Sequence, residues 1–396
     1  MEHNEIENIF NKYDTMLRHE ILHPEEVSQA EQTYNLELTE EELGEIIKRY
    51  SSKGNIAFAT IASQQNFHKH PNSTTSLSLY CDMLIADNQI AKAEDVLEQF
   101  IQENKWDPIT IFYLARIAIY KGRIEESKEY AEQLLENSEE KWSLCSPFYT
   151  LSHDCIKRKY YESAIWYLDI SLNMLAQWER EHIDEKFVKE LLSNIYYSYS
   201  FCYRKVNRIK ESVAYLTKLL DINPFEAEIW MNLGYSYELL NENKRAQDAY
   251  ENAYAIDNKF SKALLNLGML YLKENQFEYT IKYAEAYLEK NNNDLEAMHL
   301  LCCAYLAIQE IKQAEFIAHK ALILFPEDKL NNELIVLIEK IKKMEEDICY
   351  NGENRTNSNV EQSNSDIEQS LERVINLMSN TTITADQWDN WREKSK

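Results

Sequence analysis

Six glycines and six prolines stand among the 396 residues of this chain, where average usage would supply roughly 28 and 20. A sandwich, a barrel or a doubly wound α/β sheet needs turn and phosphate-loop glycines. This chain cannot supply them. The seven cysteines are an odd number with no C-x-x-C pair, which excludes a disulfide framework and predicts a reducing, cytoplasmic setting. No apolar run approaches the length of about 18 residues that a membrane helix needs. The opening Met1-Glu2-His3-Asn4-Glu5 is acidic where a signal peptide would be basic. Basic residues are scarce as well, 42 against 67 acidic, for a net charge of −25. With no basic patch in the chain, phosphate backbones are repelled and nucleic acid is excluded as a general partner.

A hydrophobic content of 44% is ample for a core. What can be built almost without glycine and proline is a long series of helices joined by tight turns, so the fold class is all-α. Internal repeats carry the detail. Pro224 and Pro326 lie 102 residues apart, three times 34. Placing each at position 32 of a 34-residue unit gives unit starts at Ser193, Ala227, Ser261 and Leu295. Position 4 then reads Tyr196, Trp230, Leu264, Met298, and position 7 reads Tyr199, Leu233, Leu267, Leu301. Position 8 is small (Ser200, Gly234, Gly268, Cys302), as is position 20 (Ser212, Ala246, Thr280, Ala314). Position 11 is tyrosine throughout: Tyr203, Tyr237, Tyr271, Tyr305. Large residues at 4, 7 and 11 line one helical face. Small residues at 8 and 20 let the two helices of a unit cross closely.

Unit 227–260, with Trp230, Leu233-Gly234, Tyr237 and Ala246, resembles the tetratricopeptide repeat family. The resemblance implies a right-handed α-solenoid of helix-turn-helix units. Upstream the register continues from Glu40, Thr74, Pro108 and Cys145, with Ala59, Ala93, Ser127 and Ala164 at position 20 and Gly54 and Gly122 at position 15. Two insertions are needed, at 142–144 and 179–192. The second predicts two adjacent helices lengthened by about two turns each, with Asp184 as a cap for the second. The domains are then an acidic extension over 1–39 and eight repeats with a closing helix (329–348) over 40–348. An acidic tail over 349–396 completes the chain. Ile6, Ile9, Phe10, Tyr13 and Leu17 predict an N-terminal helix packed on the first unit. Within the tail, Ser365-Asp366-Ile367-Glu368 reads as a capping box opening the apolar series Ile367, Leu371, Val374, Ile375, Met378. This segment, or the Trp388/Trp391 pair beyond it, is a candidate for docking on the protein's own surface.

No P-loop, G-x-S-x-G or dinucleotide fingerprint occurs. His19 with His23, and His68 with His70, have a spacing that can hold metal, but the rest of a ligand set is missing, so no metal or cofactor is expected. Cys302 occupies the small position 8, as does Cys81, so helix crossing explains both; Cys303 faces the other way. The resemblance implies that first-helix positions 2, 5, 6, 9 and 12 form a concave binding surface. From unit 145 onward these include Tyr149, His153, Tyr197, Phe201, Arg204, Met231, Asn232, Tyr235, Leu265, Asn266, Met269 and His299. Aromatic and methionine side chains offer a large, adaptable contact area.

Some relatives grip acidic C-terminal peptides with Lys, Asn and Arg spread over three units, and positions 5 and 9 here do not supply that set. Asn232 and Asn266 at position 6 resemble instead a short asparagine ladder holding an extended peptide by its backbone. Position 6 is expected to point away from the packed faces. The sequence thus reads as a non-catalytic scaffold or adaptor, of the kind found among bacterial tetratricopeptide proteins, with a protein or extended peptide as partner. The alternatives are a peptide-sensing regulator that changes shape on binding, for which the lengthened helices speak, or a regulatory subunit of an enzyme complex.

Overall fold

The computed structural model describes residues 3–19, 38–103, 107–138, 140–181, 185–350 and 367–376. Every regular element among them is a helix. Two compact units divide the chain, Met1–Ser198 and Tyr199–Lys396, and the boundary falls inside one helix.

The first unit opens with α1 (His3–His19), followed by the pairs α2 (Glu40–Ser52) and α3 (Ile56–Lys69), α4 (Thr74–Ala86) and α5 (Ile90–Glu103), and α6 (Pro108–Tyr120) and α7 (Ile124–Asn137). A short 3-10 turn over Lys141–Leu144 takes up the smaller insertion and leads into α8 (Cys145–Lys157) and α9 (Tyr161–Glu181). The boundary helix is α10 (Glu185–Lys205). At 21 residues each, α9 and α10 are longer than the 13- and 14-residue helices around them. The larger insertion has therefore gone into helix length. Asp184 lies outside the described residues. Phe10, Tyr13, Met16 and Leu17 of α1 are buried against Leu43, Ile46, Ile47 and Tyr50 of α2, and the Tyr13 hydroxyl donates to Gln65 Oε1 at 2.5 Å.

The second unit continues with α11 (Ile209–Ile222), then α12 (Ala227–Leu239) and α13 (Asn243–Ile256), α14 (Lys262–Lys273) and α15 (Phe277–Leu288), α16 (Leu295–Ala307) and α17 (Ile311–Leu324), and closes with α18 (Lys329–Tyr350). A final helix, α19, spans 367–376. Val374 of α19 belongs to the same buried cluster as Leu300, Leu301, Leu334, Leu337 and Ile338, and Ile367, Leu371 and Ile375 pack against it.

One turn geometry recurs through both units. Position 15 of the register is Gly54, Asn88, Gly122, Lys159, Asn207, Asn241, Asn275 and Gln309, and each has φ between 57° and 77°. The position-16 N–H then bonds back to the position-11 carbonyl, as from Asn55 to Tyr50 at 2.9 Å, Arg208 to Tyr203 at 2.7 Å and Glu310 to Tyr305 at 2.9 Å. This is the bond pattern by which a left-handed residue satisfies the last carbonyls of a helix. It also turns the chain so that the second helix folds back on the first.

The crossing of each pair is set by volume. Position 20 is fully buried in every unit, at Ala59, Ala93, Ser127, Ala164, Ser212, Ala246, Thr280 and Ala314. The Ser127 hydroxyl donates across the crossing to the Ala115 carbonyl at 2.8 Å, and the Cys302 thiol does the same to Ala314 at 3.5 Å.

Candidate functional site

The first-helix face of the first unit carries a row of charge. Asp82 of α4, Arg116 of α6 and Asp154 of α8 meet side by side. Arg116 Nε donates to Asp154 Oδ2 at 2.6 Å, a second guanidinium nitrogen bonds Asp82, and the Tyr120 hydroxyl donates to Asp154 Oδ1 at 3.0 Å. Arg116 is 8% exposed and Asp154 1%. Burial alone would favour loss of the proton, but Asp154 and then Asp82 outweigh it and hold the Arg116 pKa above its ordinary value. Removing Asp154 costs about 3–5 kcal/mol, because its buried partner charge is left largely uncompensated, whereas the more exposed Asp82 contributes less. The row therefore fixes three neighbouring first helices. Sequence reasoning did not single out these residues, although position 9 alternates in sign between Asp82 and Arg116. Farther along the same face Tyr149 is half-buried and His153 exposed, their rings 6.5 Å apart and stacked. Tyr197 is also half-buried.

The second unit places a second buried arginine in a different setting. Arg204, near the end of α10, is likewise 8% exposed. Its Nη1 donates to Asn232 Oδ1 of α12 at 3.3 Å. The guanidinium carbon lies 5.9 Å from the Phe201 ring centre and 5.6 Å from that of Tyr235, both rings half-buried. Its Nε is buried with no partner, and among the described residues it forms no ion pair. One unit farther along, Glu238 is committed elsewhere, receiving the Tyr250 hydroxyl at 2.5 Å and Lys273 Nζ at 3.2 Å. Ring contacts of this kind contribute about 0.5–1 kcal/mol, well short of what a paired carboxylate supplies.

Seven of the twelve candidate contact residues are buried: Arg204, Met231, Asn232, Leu265, Asn266, Met269 and His299. The expectation that position 6 points away from packed faces does not hold, since Asn232 is 7% and Asn266 3% exposed. Adjacent first helices pack close enough to cover it. Asn232 also donates from Nδ2 to the Glu228 carbonyl at 2.9 Å, so half its amide capacity is spent within the protein. Asn266 Oδ1 is buried without a partner. Leu265, Met269, Leu272, Cys303 and Leu306, at first-helix positions 5, 9 and 12, belong to the buried cluster that α19 joins. His299 bonds Asn331 Oδ1 through Nε2 at 2.7 Å, with Asp328 Oδ1 at 3.5 Å. The Asn331 amide nitrogen donates to the Phe325 carbonyl, which leaves its oxygen facing the ring and assigns the proton to His299 Nε2. Burial lowers the His299 pKa, against the opposing pull of Asn331 and Asp328.

Cys302 and Cys303 are both fully buried. Burial raises the Cys303 pKa to about 12 and holds the Cys302 pKa well above its ordinary value, so neither presents a thiolate near neutral pH. Among the described residues no group of three His, Cys, Asp or Glu could hold a metal. His23, Trp388 and Trp391 lie outside the described residues. Among those described, no helix is long and apolar enough to cross a membrane.

Comparison with known proteins matches residues 193–226 and 227–260 to the tetratricopeptide repeat. Residues 193–260 carry two tetratricopeptide repeats. It is 31% identical over 122 residues to "Uncharacterized protein ycf37" of Guillardia theta, a match covering 30% of this chain and 64% of that one, so less than two thirds of the relative is spanned. Among solved structures it resembles YrrB, titled a TPR protein with an unusual peptide-binding site. That likeness has 17% identity and a TM-score of 0.40, over 50% of this chain and 94% of YrrB. A tetratricopeptide repeat protein from Parabacteroides merdae is similar at 14% identity and a TM-score of 0.36, over 76% of this chain and 98% of that one. The chemistry of each first-helix face rests on the side chains described above.

Proposed function

We propose that this chain is a non-catalytic interaction scaffold that holds an extended segment of a partner protein along a first-helix face. The observation that carries the reading is the pair of half-buried rings, Phe201 and Tyr235, beside Arg204, which itself bonds Asn232 on the second unit. Rings that are only partly buried offer contact area whose burial on binding contributes about 25 cal/mol per Å², and aromatic and arginine side chains are frequent anchors in such interfaces. A cytoplasmic setting belongs to this reading and is supported by six free, buried cysteines among the described residues. The net charge of −25 disfavours nucleic acid as the partner. A regulator that changes shape on binding is the second reading, favoured by the 21-residue α9 and α10.

The test uses the full chain immobilised against a displayed library of random 12-residue peptides. Enriched peptides should lose at least tenfold in affinity to Phe201→Ala and Tyr235→Ala, while both variants melt within about 2 °C of the parent. Enrichment that survives both substitutions would move the contact surface elsewhere.

A further inference from the structure

The two buried arginines of this protein differ in one respect. Arg116 is met by two carboxylates, and Arg204 by none among the described residues. Of the five N–H donors on Arg204, one reaches Asn232 Oδ1, and Nε is buried without a partner. A guanidinium nine-tenths buried and without a counter-charge is costly in the free protein, and that cost is relieved when an anion arrives. The surroundings suit an anion that is planar and singly charged. Asn232 fixes one edge of the guanidinium and retains an amide N–H. The Phe201 and Tyr235 rings both lie within 6 Å of the group.

We propose that Arg204 and Asn232 form a carboxylate-binding site on the second unit, and that the partner segment is selected for a carboxylate placed between two side chains that contact Phe201 and Tyr235. The proposal rests on the scaffold reading and deepens it by naming the chemistry of the ligand. Guanidinium and carboxylate match as parallel N–H···O pairs, which lysine cannot reproduce. A single guanidinium balances one negative charge, so a dianionic group would be left half-compensated. The carboxylate can be an Asp or Glu side chain or the C-terminus of the partner.

The test is a synthetic peptide array probed with the full chain, in three arms: free C-terminus without Asp or Glu, amidated C-terminus with Asp or Glu, and amidated C-terminus without either. Binding in the first arm assigns the C-terminal carboxylate, binding in the second the side chain. Arg204→Met should weaken the binding peptides at least tenfold, about 1.4 kcal/mol, and Arg204→Lys should restore only part of it. The same Arg204→Met change should raise the melting temperature, because an uncompensated buried charge is removed. A structural arginine would lower it. Equal binding in all three arms, or a melting temperature that falls with Arg204→Met, overturns the carboxylate site while leaving the scaffold reading in place, provided Phe201→Ala still abolishes capture. If the parent retains no peptide in any arm, both fall.

Discussion

Glycine 234 and glycine 268 occupy the same register position in adjacent repeats, yet their surroundings differ. A Cβ on Gly234 would lie 2.6 Å from Cε1 and 2.7 Å from Cδ1 of the fully buried Tyr250 ring. On Gly268 it would meet Leu300 Cδ2 at 2.8 Å, the far end of a side chain that can rotate. Alanine gains about 1 kcal/mol over glycine in a helix interior, whereas overpacking a rigid core costs about 1–3 kcal/mol. Gly234→Ala is therefore expected to destabilise by about 1–2 kcal/mol, and Gly268→Ala to be near neutral, as read from urea midpoints. Equal losses at both would mean that Leu300 is held as firmly as Tyr250. The need for a small residue at position 8 was legible in the sequence because it follows from the close approach of two neighbouring helices. The fate of Asn232 was not, because it depends on an arginine in the preceding repeat, 28 residues away.

At the scale of the helical hairpin, the turn explains why the register can be followed with so few glycines. Only Gly54 and Gly122 fill the left-handed position with the residue that suits it best. Asn88, Asn207, Asn241 and Asn275 follow the known tolerance of asparagine for that region, while Lys159 and Gln309 are held there by the bonds that close the turn. A reader of the sequence sees the two glycines and the tyrosines at position 11, but not that lysine and glutamine serve the same geometry. The closing hairpins also carry a titration. His299 of α16 faces Asn331 and Asp328 at the start of α18, buried and with a lowered pKa. In the unfolded chain it takes a proton near the ordinary value of about 6.5, while in the fold it does so only at lower pH. Between those values the unfolded state holds more protons, so stability falls as pH drops below about 6.5. Thermal melting from pH 7.5 to 5 should show a larger loss for the parent than for His299→Gln. Parallel curves would place the acid sensitivity on other groups.

Over the whole molecule, repeats contact their neighbours and stability is distributed along the array, so an added element acts where it docks. For α19 that place is the end of the second unit. Ile367, Leu371, Val374 and Ile375, spaced as one helical face, join the cluster built from α14 to α18. Leu371 and Ile375 also border a cleft shared with Lys273, Asn275, Phe277 and Ala307, and Arg373 approaches Glu333 at 3.9 Å. The amphipathic pattern of this segment was visible in the sequence. Its docking surface was not, because that surface is assembled from helices up to about a hundred residues upstream. A double change, Leu371→Asp with Val374→Asp, places charge in the apolar seam, and the helix would leave the surface before it buried either carboxylate. The loss is therefore bounded by the free energy of docking one short helix. The melting temperature is expected to fall by a few degrees, and hydrogen exchange should quicken in α16 to α18 while staying unchanged over residues 40–181. The lining of the cleft also sets what should not change. None of Lys273, Asn275, Phe277 and Ala307 belongs to the Arg204 and Asn232 site, so peptide affinity there should match that of the parent. A rise in affinity would instead show that the tail competes for the binding face, and would make α19 a resident ligand of the array.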